Sequence, residues 1–317
     1  MSSAVHVRTP CRLHFGMFSF GRTDQREFGG VGVMVEPPNV QVDISRSDRF
    51  AVSGPFSGRV SRFVNEIAKN WKLESLPACS IEVRSPPDHT GLGIGTQLGL
   101  AVASGLRRFL RLSELPLESL ATSAGRGGRS AVGTYGFARG GLIVDAGKRP
   151  GEVLGKLCQR VELPFEWRFI LVRHNSDKGM AGAQEVTAFA GLPPVPEATT
   201  RALWRLVTEQ MIPAIESADC TAFGDAVCEF GRLAGTCFAT AQGGPFATPA
   251  VERLVHAIRD FGVAGVGQSS WGPTVFAAVP SENDAGRLVE WLRNQPAVRD
   301  CEITVAKPNN SGAQVLG

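Results

Sequence analysis

The chain has 317 residues, 43% of them hydrophobic, and a formal net charge of +3, enough to bury a large core in one large unit or two intimate ones. So small a charge, with Lys and Arg dispersed, excludes nucleic-acid or membrane binding by bulk electrostatics and leaves local recognition of a small anion. Seven scattered cysteines without a C-x-x-C pair exclude a zinc cluster and a disulfide framework and read as buried apolar residues in a reducing compartment. No apolar signal core follows Met1 and no run of about 18 uncharged apolar residues occurs, so a soluble, cytoplasmic protein is expected.

In chain order, alternation of apolar and polar residues predicts strands at 5–7, 31–35, 40–44 and 81–83, a mostly β front end. Residues 59–71 set Val60, Phe63, Val64, Ile67, Ala68 and Trp71 at helical spacing. Residues 98–110 give an apolar helix whose Ala101, Ala103, Ser104 and Gly105 imply close packing. Leu115-Pro116 marks a helix start, and a glycine-rich segment over 125–141 closes with a strand at 141–145. A short buried strand at 169–172 leads into a polar loop over 174–183, and Leu192-Pro193-Pro194-Val195-Pro196 is the clearest turn. Helices follow at about 199–215, 220–240 and 249–261, then strands at 263–266 and 274–279, a helix near 282–293 and a last strand at 301–306. Strands split by helices on one side make an α+β sandwich rather than a doubly wound sheet, with halves at 1–160 and 161–317.

Three glycine-rich elements carry the candidate chemistry. The first, Gly91-Leu92-Gly93-Ile94-Gly95-Thr96-Gln97, joins a strand to a helix, where backbone N–H groups and the helix dipole favour phosphate. It is neither a Walker A loop nor a dinucleotide fingerprint, and it reads either as a phosphate cradle or as a turn needed for tight strand-to-helix packing. The second, over 125–141, holds Arg126, Arg129 and Arg139 among small residues, with Ser130 and the chain's one tyrosine, Tyr135. Guanidinium forks there suit phosphate or carboxylate oxygens, or else are solvated on a surface turn. In the third, Gly267-Gln268-Ser269-Ser270-Trp271-Gly272-Pro273, the tryptophan either stacks on an aromatic ligand or caps the core. Arg12 and His14 share one face of an extended strand, Arg26 precedes Gly29-Gly30, and Asp177 to Glu185 reads as a substrate loop with Glu185 in the first turn of a helix, unless Glu185 is only an ordinary acidic residue at a helix N-terminus.

Taken together, the early Arg-containing strand and these glycine elements resemble the GHMP kinase superfamily along nearly the whole chain. The finer resemblance is to the β-ribofuranosylaminobenzene 5′-phosphate synthase (β-RFAP synthase) family. It rests on Arg12-Leu13-His14-Phe15-Gly16, Phe28-Gly29-Gly30-Val31-Gly32, Gly125-Arg126-Gly127 with Gly133-Thr134, and Gly267 to Pro273. Ile94-Gly95-Thr96-Gln97 replaces the paired serines of the kinases, and no carboxylate lies between Glu118 and Asp145, where many of those kinases carry a catalytic Asp.

The resemblance implies a two-domain fold, an N-terminal S5-domain-2-like β-rich half and a ferredoxin-like α/β sandwich half, in a class that often forms homodimers. It also implies condensation of 5-phosphoribosyl 1-pyrophosphate with 4-aminobenzoate or 4-hydroxybenzoate, with loss of CO2 and pyrophosphate, in tetrahydromethanopterin biosynthesis. Mg2+ or another divalent cation, the 91–97 loop, Arg126 and Arg129 would neutralise the leaving group. Arg26, Arg12 and His14 are expected at the benzoate carboxylate or the 5-phosphate, with Gln268, Ser269, Ser270 and Trp271 along the ligand. An ATP-dependent kinase of the same fold and a non-catalytic phosphate-ligand sensor are the alternatives.

Overall fold

The computed structural model describes residues 4–174, 187 and 191–317. Strand β1 (Val5–Met17) runs antiparallel to β2 (Gly30–Arg46), and these two long strands organise the molecule. The two runs expected at 31–35 and 40–44 are one strand. Val31, Val33 and Val35 are buried, and beyond Pro37-Pro38 the buried set shifts to Val40, Val42 and Ile44. Three extra residues of β2 opposite Pro10/Cys11 make that change of phase, so one strand presents apolar side chains to the core along both halves.

Because β2 is long, it serves several partners. Residues Gln41 to Arg46 pair with β4 (Cys79–Arg84), residues Gly30 to Val33 pair with β5 (Leu142–Asp145), and Val35 and Glu36 meet the end of β10 (Cys301–Pro308). Through β10 the sheet continues into β7 (Arg168–His174), β9 (Val275–Val279) and β8 (Gly265–Gln268), while β11 (Gln314–Leu316) pairs with β1 at the opposite edge. β3 (Ala51–Ser53) adds to β4, and β6 (Leu157–Val161) adds to β5. Neither of those short edge strands is legible as an alternating run.

Helices α1 (Ser57–Asn70) and α2 (Ile94–Phe109) and the Cys220–Thr236 helix cover one continuous apolar core that crosses between the two halves. Phe15 of β1 lies 5.2 Å from the Phe276 ring and 6.2 Å from that of Phe223. A second core joins β7, β8 and β9 to the helices Pro249–Asp260 and Glu282–Arg293. The expected division near residue 160 therefore falls inside β6, and the halves share both a sheet and a core.

Three local features depart from expectation. The glycine-rich segment contains a helix, α4 (Val132–Arg139), after α3 (Leu117–Ser123). Its Gly136 lies against the buried Met34 side chain, closer than any Cβ would allow, so that glycine marks close packing rather than a loop. The helix expected over 199–215 is Glu197–Arg205, a π-helical stretch Leu206–Met211 and Ile212–Glu216, the last opening with Pro213 in its first turn. The candidate loop with Asp177 and Glu185 lies outside the described residues. Among the described residues no helix is long and apolar enough to cross a membrane.

The Cys220–Thr236 helix packs onto β8 through Gly224, where an added Cβ would lie 2.4 Å from the Gly265 nitrogen and 3.0 Å from the Ala264 carbonyl carbon. Both obstacles are backbone, so neither can swing aside. Gly224→Ala is therefore expected to destabilise the protein by about 1–3 kcal/mol, read as a lower denaturant midpoint at unchanged slope. An unchanged midpoint would show that the helix can lift off β8 freely.

Candidate active site

Leu92 and Ile94 of the first glycine loop are buried in the core, while the backbone at Gly91, Gly93 and Gly95 borders the cleft. Gly93 has φ 71° and precedes α2, whose first turn has no acidic residue and no side-chain cap. A positive helix end is thereby turned towards the cleft. The third glycine element clamps this loop. The Ser269 hydroxyl donates to the Gly91 carbonyl at 2.7 Å and accepts from the His14 N–H at 3.0 Å, and Thr274 Oγ1 donates to the Thr90 carbonyl at 2.6 Å. Gly272 packs on Gly91 with no room for a Cβ on either.

Around this loop opens a cleft of about 490 Å³. Four arginines line it, Arg12, Arg59, Arg126 and Arg129, against one carboxylate, Asp88. Arg12 donates to the Gly91 carbonyl at 3.3 Å. Arg59 is ion-paired with Asp88, and the guanidinium groups of Arg59 and Arg126 lie over the Phe63 ring at 5.5 and 5.0 Å. Burial, and then the like charge of Arg59, pull Arg126 down to about 10, which leaves it cationic at neutral pH. The cleft thus concentrates positive charge where backbone N–H groups also point.

On its inner wall, His14 Nε2 lies 3.1 Å from Ser130 Oγ, and Ser130 Oγ lies 3.4 Å from Asp145 Oδ2. Asp145, the last residue of β5, is fully buried and accepts from the Ala131 N–H at 2.6 Å and the Gly147 N–H at 2.8 Å. Burial pushes it up to about 6 despite these hydrogen bonds. Burial, and then the Arg12 charge, hold His14 well below the usual histidine value, so it is neutral.

Of the residues expected from sequence, the fold brings Arg12, His14, Arg126, Arg129, Ser130, Ser270, Trp271 and the 91–96 loop to one cleft. Others lie elsewhere. Gln97 is buried and donates to the Gly133 carbonyl at 2.8 Å, tying α2 to α4 rather than lining the cleft. Tyr135 donates to the Gly155 carbonyl at 2.8 Å, and Arg26 is held by Glu152 at 2.6 Å and by the Gly147 carbonyl, beside the cleft rather than in its lining. Ser269 is fully buried in the clamp. Gln268 bridges Ala247 and Ser270 and lines a small inner pocket of about 50 Å³. Trp271 is largely buried against Phe238, 5.0 Å away edge-on, yet reaches both that pocket and the cleft.

Sequence reasoning missed Arg59, Asp88 and Asp145. In the sequence Arg59 reads as the solvated start of an amphipathic helix. Asp145 does carry a signal, a carboxylate ending the apolar run Leu142-Ile143-Val144, which is unusual for a buried strand. For a divalent cation, the described residues offer no group of three His, Cys, Asp or Glu, and Asp88 is engaged by Arg59 and by the His89 N–H. These residues do not form a cation site of their own.

The architecture and this cleft define an enzyme of the GHMP kinase fold. Residues 211–297 match the family of GHMP kinases C terminal domains. Homoserine kinase from Cytophaga hutchinsonii superposes with a TM-score of 0.66 at 17% identity, covering 100% of this chain and 98% of that one. Mevalonate diphosphate decarboxylase from Staphylococcus aureus does so with a TM-score of 0.68 at 14% identity, covering 100% and 99%. Such likeness shows the fold. Sequence relatives narrow it: the beta-ribofuranosylphenol 5′-phosphate synthase of Archaeoglobus fulgidus is 31% identical, over 98% of this chain and 99% of that protein. The synthase of the same name from Methanothermobacter thermautotrophicus is 30% identical, over 90% and 92%. The chain belongs to this synthase family.

Two outcomes follow from the geometry. Ser269→Ala leaves the Gly91 carbonyl and the His14 N–H without their shared hydroxyl, and should cost about 1–3 kcal/mol in unfolding free energy; a neutral result would mean water replaces it. Asp145 has a folded value near 6 against an ordinary 3.8, so the folded chain binds that proton more tightly than the unfolded one. Its contribution to stability is fully present below pH 3.8 and is lost as pH rises through about 6. The deficit of Asp145→Ala should accordingly be greater at about pH 4.5 than at about pH 7, by on the order of 2 kcal/mol, as measured by denaturant unfolding; a deficit growing with pH would contradict this.

Proposed function

We propose that the chain condenses 5-phosphoribosyl 1-pyrophosphate with a 4-substituted benzoate, forming a C-riboside 5′-phosphate with release of CO2 and pyrophosphate. The observation that carries this is the meeting of four arginines and a glycine-loop helix end in one cleft, in a chain whose relatives are named for a β-ribofuranosylphenol 5′-phosphate product. A phenol product favours 4-hydroxybenzoate over 4-aminobenzoate as the acceptor.

Chemically, the bond between the anomeric carbon and pyrophosphate breaks as cationic character grows on the ribose. Arg126, Arg129 and the loop N–H groups oppose the charge on the departing oxygens. The ring carbon bearing the carboxylate then bonds to the anomeric carbon, assisted by electron release from the para oxygen. Loss of CO2 from that carbon restores aromaticity, and no net proton is released. No enzyme nucleophile is needed. What the protein supplies is alignment and exclusion of water from the short-lived cation. The ring fits where the cleft meets the inner pocket, along Met17, Ser270 and Trp271, which line both. Mg2+ is proposed to arrive with the pyrophosphate oxygens, as this cation commonly does.

Purified protein supplied with phosphoribosyl pyrophosphate, Mg2+ and 4-hydroxybenzoate should release CO2 and pyrophosphate in equal amounts. ADP formation from ATP with candidate alcohols would favour a kinase instead, and binding without turnover a sensor. Arg126→Ala and Arg129→Ala should each lower turnover about tenfold or more, and Arg26→Ala, whose side chain is held by Glu152 and the Gly147 carbonyl beside the cleft, should cost less. Near-normal rates in both cleft variants would remove the arginines from the mechanism.

A further inference from the structure

A fully buried carboxylate at the end of β5 needs a reason, because burial without partners disfavours its charge. Asp145 has partners on both oxygens. Oδ1 accepts from Gly147 N–H, and Oδ2 accepts from Ala131 N–H and faces the Ser130 hydroxyl. Room for this chain of groups is cleared at both ends. A Cβ on Gly155 would overlap the Asp145 carboxylate, and one on Gly30 would lie 2.9 Å from His14 Nε2.

The directions of the hydrogen bonds follow from the chemistry of the groups. An ionised carboxylate only accepts, so Ser130 Oγ donates its one proton to Asp145. The Ser130 oxygen is then left to accept, from the Val132 N–H at 3.3 Å and from His14 at 3.1 Å. A His14 that meets this oxygen as a donor carries its proton on Nε2. In a neutral imidazole that leaves Nδ1 as a lone-pair acceptor, and among the described residues no further hydrogen bond of the ring is made.

We propose that Asp145, acting through Ser130, is a positioning residue that fixes His14 as the neutral Nε2–H tautomer, so that His14 meets substrate only as a hydrogen-bond acceptor and takes a hydroxyl. This rests on the synthase reading for the identity of the substrate, not for the tautomer. It also revises the role expected of His14, since a lone pair repels the phosphate or carboxylate oxygens it was expected to hold. The shared ligand chemistry is an O–H donor, found both on the para position of 4-hydroxybenzoate and on the ribose. Charged and titratable groups facing the chain are Arg12 beside His14, Arg26 ahead of β2, and Tyr135 on α4. Arg12 opposes a positive imidazole, in keeping with the low value of His14.

The test is 15N NMR of the full chain labelled at histidine, with the His14 signals assigned by their loss in His14→Gln among the five histidines. The wild type should show a neutral ring with its proton on Nε2 at pH 7, and Ser130→Ala should turn this into a mixture of tautomers, whereas Ser130→Thr should restore it. A charged ring, a proton on Nδ1, or indifference to Ser130→Ala overturns the proposal. Turnover in Ser130→Ala should fall about tenfold or more, mainly in kcat, with Ser130→Thr recovering most of it. A change in the Nδ1 signal with 4-hydroxybenzoate and not 4-methoxybenzoate places the donor on the benzoate. A change with phosphoribosyl pyrophosphate alone, absent with its 2-deoxy analogue, places it on the ribose. No change with either overturns the acceptor role. If the tautomer is as proposed but no synthase turnover is found, it is the functional reading that fails.

Discussion

One hydroxyl holds the site together. Ser269 Oγ accepts the His14 N–H and donates to the Gly91 carbonyl, so that β1, the first glycine loop and the third glycine element meet on a single buried atom. His14 and Ser269 are 255 residues apart in the chain, so only the folded sheet can bring them together. Without that hydroxyl the His14 N–H would lose this partner and the Gly91 carbonyl would keep only Arg12, at a cost of about 1–3 kcal/mol in all. The close Gly91–Gly272 packing depends on the same registration. With the loop fixed this way, α2 presents its first turn, free of acidic residues, to the cleft, and the arginines have a defined surface to face.

The arginines themselves are organised by aromatic and carboxylate contacts rather than by one another. Burial first, and then the like charge of Arg59 at close range, disfavour the charge on Arg126. Phe63 beneath both guanidinium groups and Asp88 against Arg59 offset part of that penalty. An arriving polyanion would relieve the rest, which gives the cleft a preference for highly charged ligands over neutral ones.

The inner wall works differently. His14, Ser130 and Asp145 form a chain of polar contacts that draws β1, the end of the arginine segment and β5 to one place. In the sequence, arginines stand where related kinases carry a carboxylate, and the region reads as lacking one. The fold supplies Asp145 from the next strand instead, aimed at the backbone and hydroxyl of the segment rather than at the cleft.

The sequence by itself determined a good deal. Local periodicity set most helices, the three glycine elements marked the turns around the cleft, and the order of those elements carried the family, because each depends on residues close together in the chain. Tertiary structure alone decided which of those residues line the cleft. Leu92, Ile94, Gln97, Ser269 and Tyr135 sit in or beside the motifs yet are taken up by packing and internal hydrogen bonds, while Arg59, Asp88 and Asp145, unremarkable in the chain, are brought to the site. The reason is physical: a motif fixes the path of the backbone locally, but side-chain burial, charge and proton ownership depend on neighbours that only the folded sheet brings within a few ångströms.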